Sequence, residues 1–134
     1  MSLQFFIMNK KIILILGDIL TIAILTFIGF ATHGEANISS IPRMATTFFP
    51  VLVSWFLIAP WLGLFDEQVI ANPKLLWRIL LAMVFIAPLA VILRATLLHS
   101  AVQPLFALIL GGSNMLGMLV WRILYLFIAR SAKR

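Results

Sequence analysis

The sequence predicts an all-α integral membrane protein, a four-helix bundle whose sequential helices run antiparallel and whose two termini lie on the same side. Three observations carry this reading. Of 134 residues, 63% are hydrophobic and 10% charged, and the mean hydropathy is +1.15; soluble domains are about 45–50% apolar and about 25% charged. Four apolar runs each reach the length of about 20 residues that a helix needs to cross a hydrocarbon core of about 30 Å. The basic residues gather at one set of helix ends. The same figures disfavour a soluble enzyme, a disordered tail and a disulfide scaffold. With no cysteine in the chain, thiolate metal sites and cysteine nucleophiles are excluded as well.

The first segment, 12–31, follows Lys10 and Lys11 and is interrupted only by Asp18. A signal peptide also begins with basic residues before an apolar stretch. This run is too long for one, holds an aspartate and lacks an A-x-A site, so a membrane helix is expected. The leader before it contains Phe5, Phe6 and Ile7 and reads as an interfacial extension of that helix. Segment 44–65 is free of charge, 75–97 carries Arg78 and Arg94, and 103–129 carries Arg122. None alternates with the period of two that a barrel strand requires. Pro50, Pro60 and Pro88 fall inside the runs, where each removes a backbone donor and tends to kink a helix. Thr46 and Thr47 have hydroxyls placed to repair the break at Pro50. The connections are short and rich in turn residues, which makes sequential helices antiparallel. The whole chain, 1–134, reads as one membrane domain without internal repeats.

Orientation follows from Lys and Arg. With the N-terminus cytoplasmic, the inner side holds Lys10, Lys11, Lys74, Arg78, Arg130, Lys133 and Arg134, with Arg122 nearby, and the outer side only Arg43 and Arg94. This bias predicts both termini in the cytoplasm and a multi-pass protein of the cell's inner (plasma) membrane. The net charge of +6 is thus a topology signal, and no nucleic-acid partner is expected. Trp61 and Trp77 flank the inner hairpin, where an aromatic belt belongs; Trp55 is deeper and is expected to pack inside.

Charges inside a membrane are costly and usually face a partner within the bundle. Asp18 lies about seven residues into the first helix, roughly 10 Å deep at 1.5 Å per residue, and Arg122 about seven residues before the end of the fourth. Both depths are measured from the same side, so an Asp18–Arg122 pair is expected, with Arg78 as the alternative partner. Such a pair serves either bundle register or an ion path. Asp18, Thr21, Leu25, Gly29 and Thr32 form a small or polar face. Gly29 is expected to pack helices, as are Ser113, Asn114 and Gly117 in the last segment, where Ser113-x-x-x-Gly117 is a small-xxx-small pattern. An outer cluster of His33, Glu35, Arg43, Arg94 and His99 suggests a capped loop, an anion-binding patch or a pH-sensitive one, with Glu35 facing Arg94.

Gly17-Asp18, Phe27-Ile28-Gly29, Thr32-His33-Gly34-Glu35, Thr47-Phe48-Phe49-Pro50, Trp55, Arg94, Pro104-Leu105-Phe106 and Trp121-Arg122 form a motif set spanning nearly the whole chain. In these the sequence resembles DUF3054, a family of small bacterial membrane proteins of unknown function. Phe30 stands where the family often has arginine. The resemblance implies a four-helix bundle with Asp18, His33, Arg94 and Arg122 as its distinctive polar positions, and it supplies no reaction and no cofactor. The expectation is a non-enzymatic membrane subunit, embedded in the lipid bilayer as a homo-oligomer or within a larger membrane complex. A small transporter or channel using Asp18 and Arg122 is one alternative; a metal- or pigment-binding module using His33, Glu35 and His99 is another.

Overall fold

The computed structural model describes residues 3–35 and 37–132; of residues 3–9 and 130–132 only the helical backbone is described. The charged ends Arg130, Lys133 and Arg134, counted above for topology, therefore lie outside the described side chains. Four long helices dominate: α1 (Leu3–Thr32), α2 (Ile41–Ile58), α4 (Trp77–Leu98) and α5 (Pro104–Ala132), with a single-turn α3 (Glu67–Ile70) between α2 and α4. No strand occurs among the described residues. All four long helices are long and apolar enough to cross a membrane, which makes the chain a multi-pass membrane protein. The leader continues α1 without a break.

The helices form a ring in the order α1, α2, α4, α5, each packed on its two neighbours. Contacts between α1 and α5 run in opposite senses along the two helices. Tyr125 reaches Lys10, Trp121 reaches Leu14, and Gly117 lies against Leu25. The core is built by Ile22 of α1, Val51 and Trp55 of α2, Ile79, Ala82, Met83, Ile86 and Ala90 of α4, and Met118 of α5. Alanines on α4 let it approach closely, as small residues do between helices in lipid. Large apolar side chains such as Leu20, Val84, Leu108 and Phe127 point outward, where lipid tails are as good a partner as protein.

Two ends can be distinguished. The terminal end holds the start of α1, the end of α5 and the connection 59–76; the distal end holds the loops 33–40 and 99–103. Three helical stretches stop in the same way. Gly34, Gly63 and His99 each adopt a left-handed conformation (φ 70°, 70° and 51°). In each case the following residue donates its N–H to a carbonyl five residues back: Glu35 to Phe30, Leu64 to Ala59 and Ser100 to Ala95. This is the Schellman closure, and glycine suits it because no Cβ opposes a positive φ.

The structure changes the reading of segment 44–65. The α-helix starts earlier, at Ile41 behind an Asn37-capped 3-10 turn, and ends at Ile58. Pro60 cannot donate to the helical ladder, a 3-10 turn follows through Leu62, and Gly63 reverses the chain. Pro50 and Pro88, by contrast, lie within α2 and α4. The hydroxyls of Thr46 and Thr47 both turn to the Arg43 carbonyl, one turn before the carbonyl of Thr46 that Pro50 leaves without its ladder donor.

Candidate functional site

The early end of α2 builds the site. Backbone that leaves the helical ladder within a membrane protein must find other partners, because lipid supplies none. The break at 59–65 presents two such carbonyls. Arg78 Nη1 donates to Leu62 O at 3.0 Å, and Arg122 Nη1 donates to Leu64 O at 2.6 Å. Each arginine, placed on a neighbouring helix, serves one carbonyl of the irregular segment. Gly63 lies between the two residues that present these carbonyls, and a Cβ there would be tight, 3.0 Å from Arg78 Nη1 and 3.1 Å from Asp66 Oδ2.

Arg122 also holds Asp18. Its Nε donates to Asp18 Oδ1 at 3.1 Å and its Nη2 to Asp18 Oδ2 at 2.8 Å. This is the bidentate fork geometry, the strongest arrangement open to an arginine and a carboxylate. Trp55 Nε1 adds a third hydrogen bond to Asp18 Oδ2 at 3.2 Å. The guanidinium carbon lies 5.6 Å from the Trp55 ring centroid and 5.5 Å from that of Phe65, within cation–π range. Phe65 in turn meets Trp55 edge-on and stacks on Phe56. The side chains of Arg122 and Asp18 are 4% and 0% exposed. Every nitrogen of the guanidinium and both oxygens of the carboxylate are therefore used inside the protein. Removing one member of such a buried pair leaves an uncompensated charge, at a cost of about 3–5 kcal/mol. Four parts of the chain meet in this network: α1 through Asp18, α2 through Trp55, the break through Leu64 and Phe65, and α5 through Arg122.

Beside it, Gly17 and Trp121 close the α1–α5 seam. A Cβ at Gly17 would collide with the Trp121 indole, whose Nε1 donates to Leu14 O at 3.4 Å. Tyr125 hydroxyl makes a similar contact to Lys10 O at 3.4 Å. Gly17 and Trp121 precede Asp18 and Arg122 in the sequence, so the residue counting that levels the charges also levels this pair. Outside the seam lies an open apolar groove of about 780 Å³, lined in part by Leu16, Leu20, Ile24, Leu116 and Val120.

The expected packing residues divide. Gly117 lies against Leu25, and a Cβ at Gly111 would lie 2.8 Å from that of Ala87. Gly29 faces open space and is exposed, so its assignment to helix packing is corrected. The buried line on α1 is Leu14, Asp18, Ile22 and Thr26, each one turn from the next, and Gly29 falls off it. Ser113 is exposed and donates to Leu110 O in its own helix. Asn114 is buried; its Nδ2 donates to Leu110 O at 2.9 Å, while its Oδ1 has no partner among the described residues.

At the distal end the expected Glu35–Arg94 contact is replaced. Glu35 pairs with Arg43 at 3.3 Å. The Gly34 closure carries the chain back toward the start of α2, where Arg43 lies. Arg94 Nε instead donates to Thr47 Oγ1 at 3.0 Å, and its guanidinium lies 4.7 Å from the Phe106 ring centroid. His33 and His99 are exposed, and His99 serves as the left-handed residue that closes α4. Among the described residues no three His, Asp or Glu side chains come together to hold a metal ion, so the His33, Glu35 and His99 set is not assembled as a metal site.

No curated protein and no solved structure matches the chain. The family model described as "Protein of unknown function (DUF3054)" matches residues 15–125. That stretch runs from just before Asp18 to just beyond Arg122, includes the break at Leu64 and the Arg94 site, and covers most of the sequence; the chain belongs to the DUF3054 family.

Proposed function

We propose that this protein is a non-enzymatic membrane subunit, acting as a small oligomer or within a larger membrane complex, with its charge pair locking the bundle rather than moving ions. The observation supporting this is the saturation of the Asp18–Arg122 network. An ion-coupling carboxylate must exchange partners with its cargo and needs a water-accessible route. Asp18 is fully enclosed, and its two oxygens are taken by Arg122 and Trp55. The charge distribution supports an inner-membrane location with both termini cytoplasmic, because Lys10, Lys11, Lys74, Arg78 and Arg122 crowd the terminal end and Arg43 and Arg94 the distal one.

Reconstitution tests the mechanism. In liposomes under an imposed proton or sodium gradient, the wild-type protein is expected to pass no more ions than empty vesicles. A flux that wild type supports and a folded Asp18→Asn variant loses would overturn the proposal in favour of a transporter. Topology is open to labelling, because the chain has no native cysteine. An impermeant thiol reagent outside intact cells is expected to modify Ser100→Cys and to spare Ala71→Cys; the opposite pattern reverses the orientation.

A further inference from the structure

The four arginines with described side chains are not equally satisfied. Arg122 is saturated by Asp18 and Leu64 O, Arg78 meets Leu62 O, and Arg43 meets Glu35. Arg94 has neither a carboxylate nor a carbonyl. Its Nε is held by Thr47 Oγ1 and its flat face lies over Phe106. An arginine carries five N–H donors; the four on its two Nη atoms meet no acceptor among the described residues. Thr47 and Phe106 thus fix the guanidinium without neutralising it.

Its neighbour adds to the charge. Arg43 lies one turn before Thr47 on α2, and the Thr47 hydroxyl that accepts from Arg94 Nε also turns to the Arg43 carbonyl at 3.5 Å. Glu35, on Arg43 at 3.3 Å, is the sole carboxylate at this end among the described residues, so two arginines face one acid. The position also selects the ligand. Arg94 precedes the end of α4 at Leu98 by four residues, roughly 6 Å of rise, and a long side chain at that depth reaches the headgroup level. A rigid, planar, unneutralised fork with a second cation beside it matches a phosphate oxyanion, which arginine binds bidentately.

We infer that Arg94, oriented by Thr47 and Phe106 and assisted by Arg43, forms a binding site for a phosphate oxyanion, supplied by the headgroup of an anionic phospholipid at the distal membrane face. Glu35 opposes binding by competing for Arg43.

Native mass spectrometry of the full chain in mild detergent, titrated with phosphatidylglycerol, tests this. Wild type is expected to bind one lipid about tenfold more tightly than Arg94→Gln. Arg43→Gln should weaken binding about threefold, and Glu35→Gln should tighten it about twofold. Diacylglycerol, which has the chains without the phosphate, should fail to bind at this site. If inorganic phosphate displaces the lipid and binds with the same ranking of variants, the oxyanion site stands and its ligand is a free phosphate. Equal affinity of wild type and folded Arg94→Gln for phosphatidylglycerol overturns the inference, as does equal binding of diacylglycerol. If Arg94→Gln does not fold, the surface pair decides: Arg43→Gln and Glu35→Gln must move affinity in opposite directions, and shifts in one direction, or none, overturn it.

Discussion

Arg122 and Arg94 are both arginines within apolar helices, and their surroundings differ in almost every respect. Arg122 has a carboxylate, a backbone carbonyl and two aromatic rings, and is 3% exposed. Arg94 has one hydroxyl and one ring, and stays partly open. The difference traces to the backbone each one serves. Near Arg122, Pro60 stops α2 early and leaves Leu64 with a carbonyl that helix geometry cannot satisfy. A cation from α5 meets that need, and Asp18 balances the cation. Near Arg94, α4 closes its own end through the left-handed His99 and the bond from Ser100 to Ala95. The local backbone asks nothing of Arg94, so its charge remains available. One end of the bundle uses arginine to close the fold, and the other holds arginine ready without consuming it.

The largest way to break this contrast is to remove one member of the closed pair. Asp18→Ala or Arg122→Ala should each destabilise the protein by about 3–5 kcal/mol, read from denaturant titrations in micelles. Arg94→Gln should cost far less in the same assay, because no buried countercharge is left behind. A loss at Arg94 as large as at Arg122 would erase the distinction. Next comes the seam that aligns the pair. Gly17→Ala forces the Trp121 ring to move and should cost about 1–3 kcal/mol, whereas Gly29→Ala, with open space around it, should be neutral or slightly stabilising.

Trp55→Phe keeps an aromatic ring, loses the indole donor to Asp18 and leaves a small cavity at a fully buried position. A hydrogen bond to a charged group is worth about 1.5–3 kcal/mol, and with the cavity added a loss of about 2–3 kcal/mol is expected by the same titration. At the distal end, His99→Gly relieves a positive φ on a residue with a Cβ and should stabilise by about 1 kcal/mol. Glu35→Gln breaks the Arg43 pair, whose arginine side chain is 58% exposed. Its effect on stability should fall below about 1 kcal/mol, even though a gain in anion binding is expected.

Apolar runs locate spans in a sequence, and counting residues from a common side places Asp18 and Arg122 at one depth. Depth is the coordinate a membrane sequence reveals best. Rotation about the helix axis is revealed poorly, because lipid-facing positions such as Leu20 and Val84 are as apolar as buried ones such as Ile22 and Ile86. Hence small-residue spacing points to Gly29 as a packing residue, although it is Gly17, next to the most conspicuous charge, that meets a neighbouring helix. Backbone partners are hidden as well: nothing in the side chain of Leu64 marks its carbonyl as the acceptor for Arg122. The signal that could have exposed it is the Pro60 and Gly63 spacing, which stops a helix inside an otherwise continuous apolar run. The Glu35–Arg43 pair escaped for a related reason. Pairing by level alone allows Arg94 or Arg43, and only the turn at Gly34 decides between them.

Asp18 and Arg122 form one network in the fold, and a double-mutant cycle measures how strongly they act together. Unfolding free energies of wild type, Asp18→Asn, Arg122→Gln and the double variant, taken in the same detergent, give the coupling between the two side chains. A coupling of about 2–3 kcal/mol is expected, with the double variant less damaged than the sum of the two single ones. Additive losses, or an Asp18→Asn variant as stable as wild type, would contradict it.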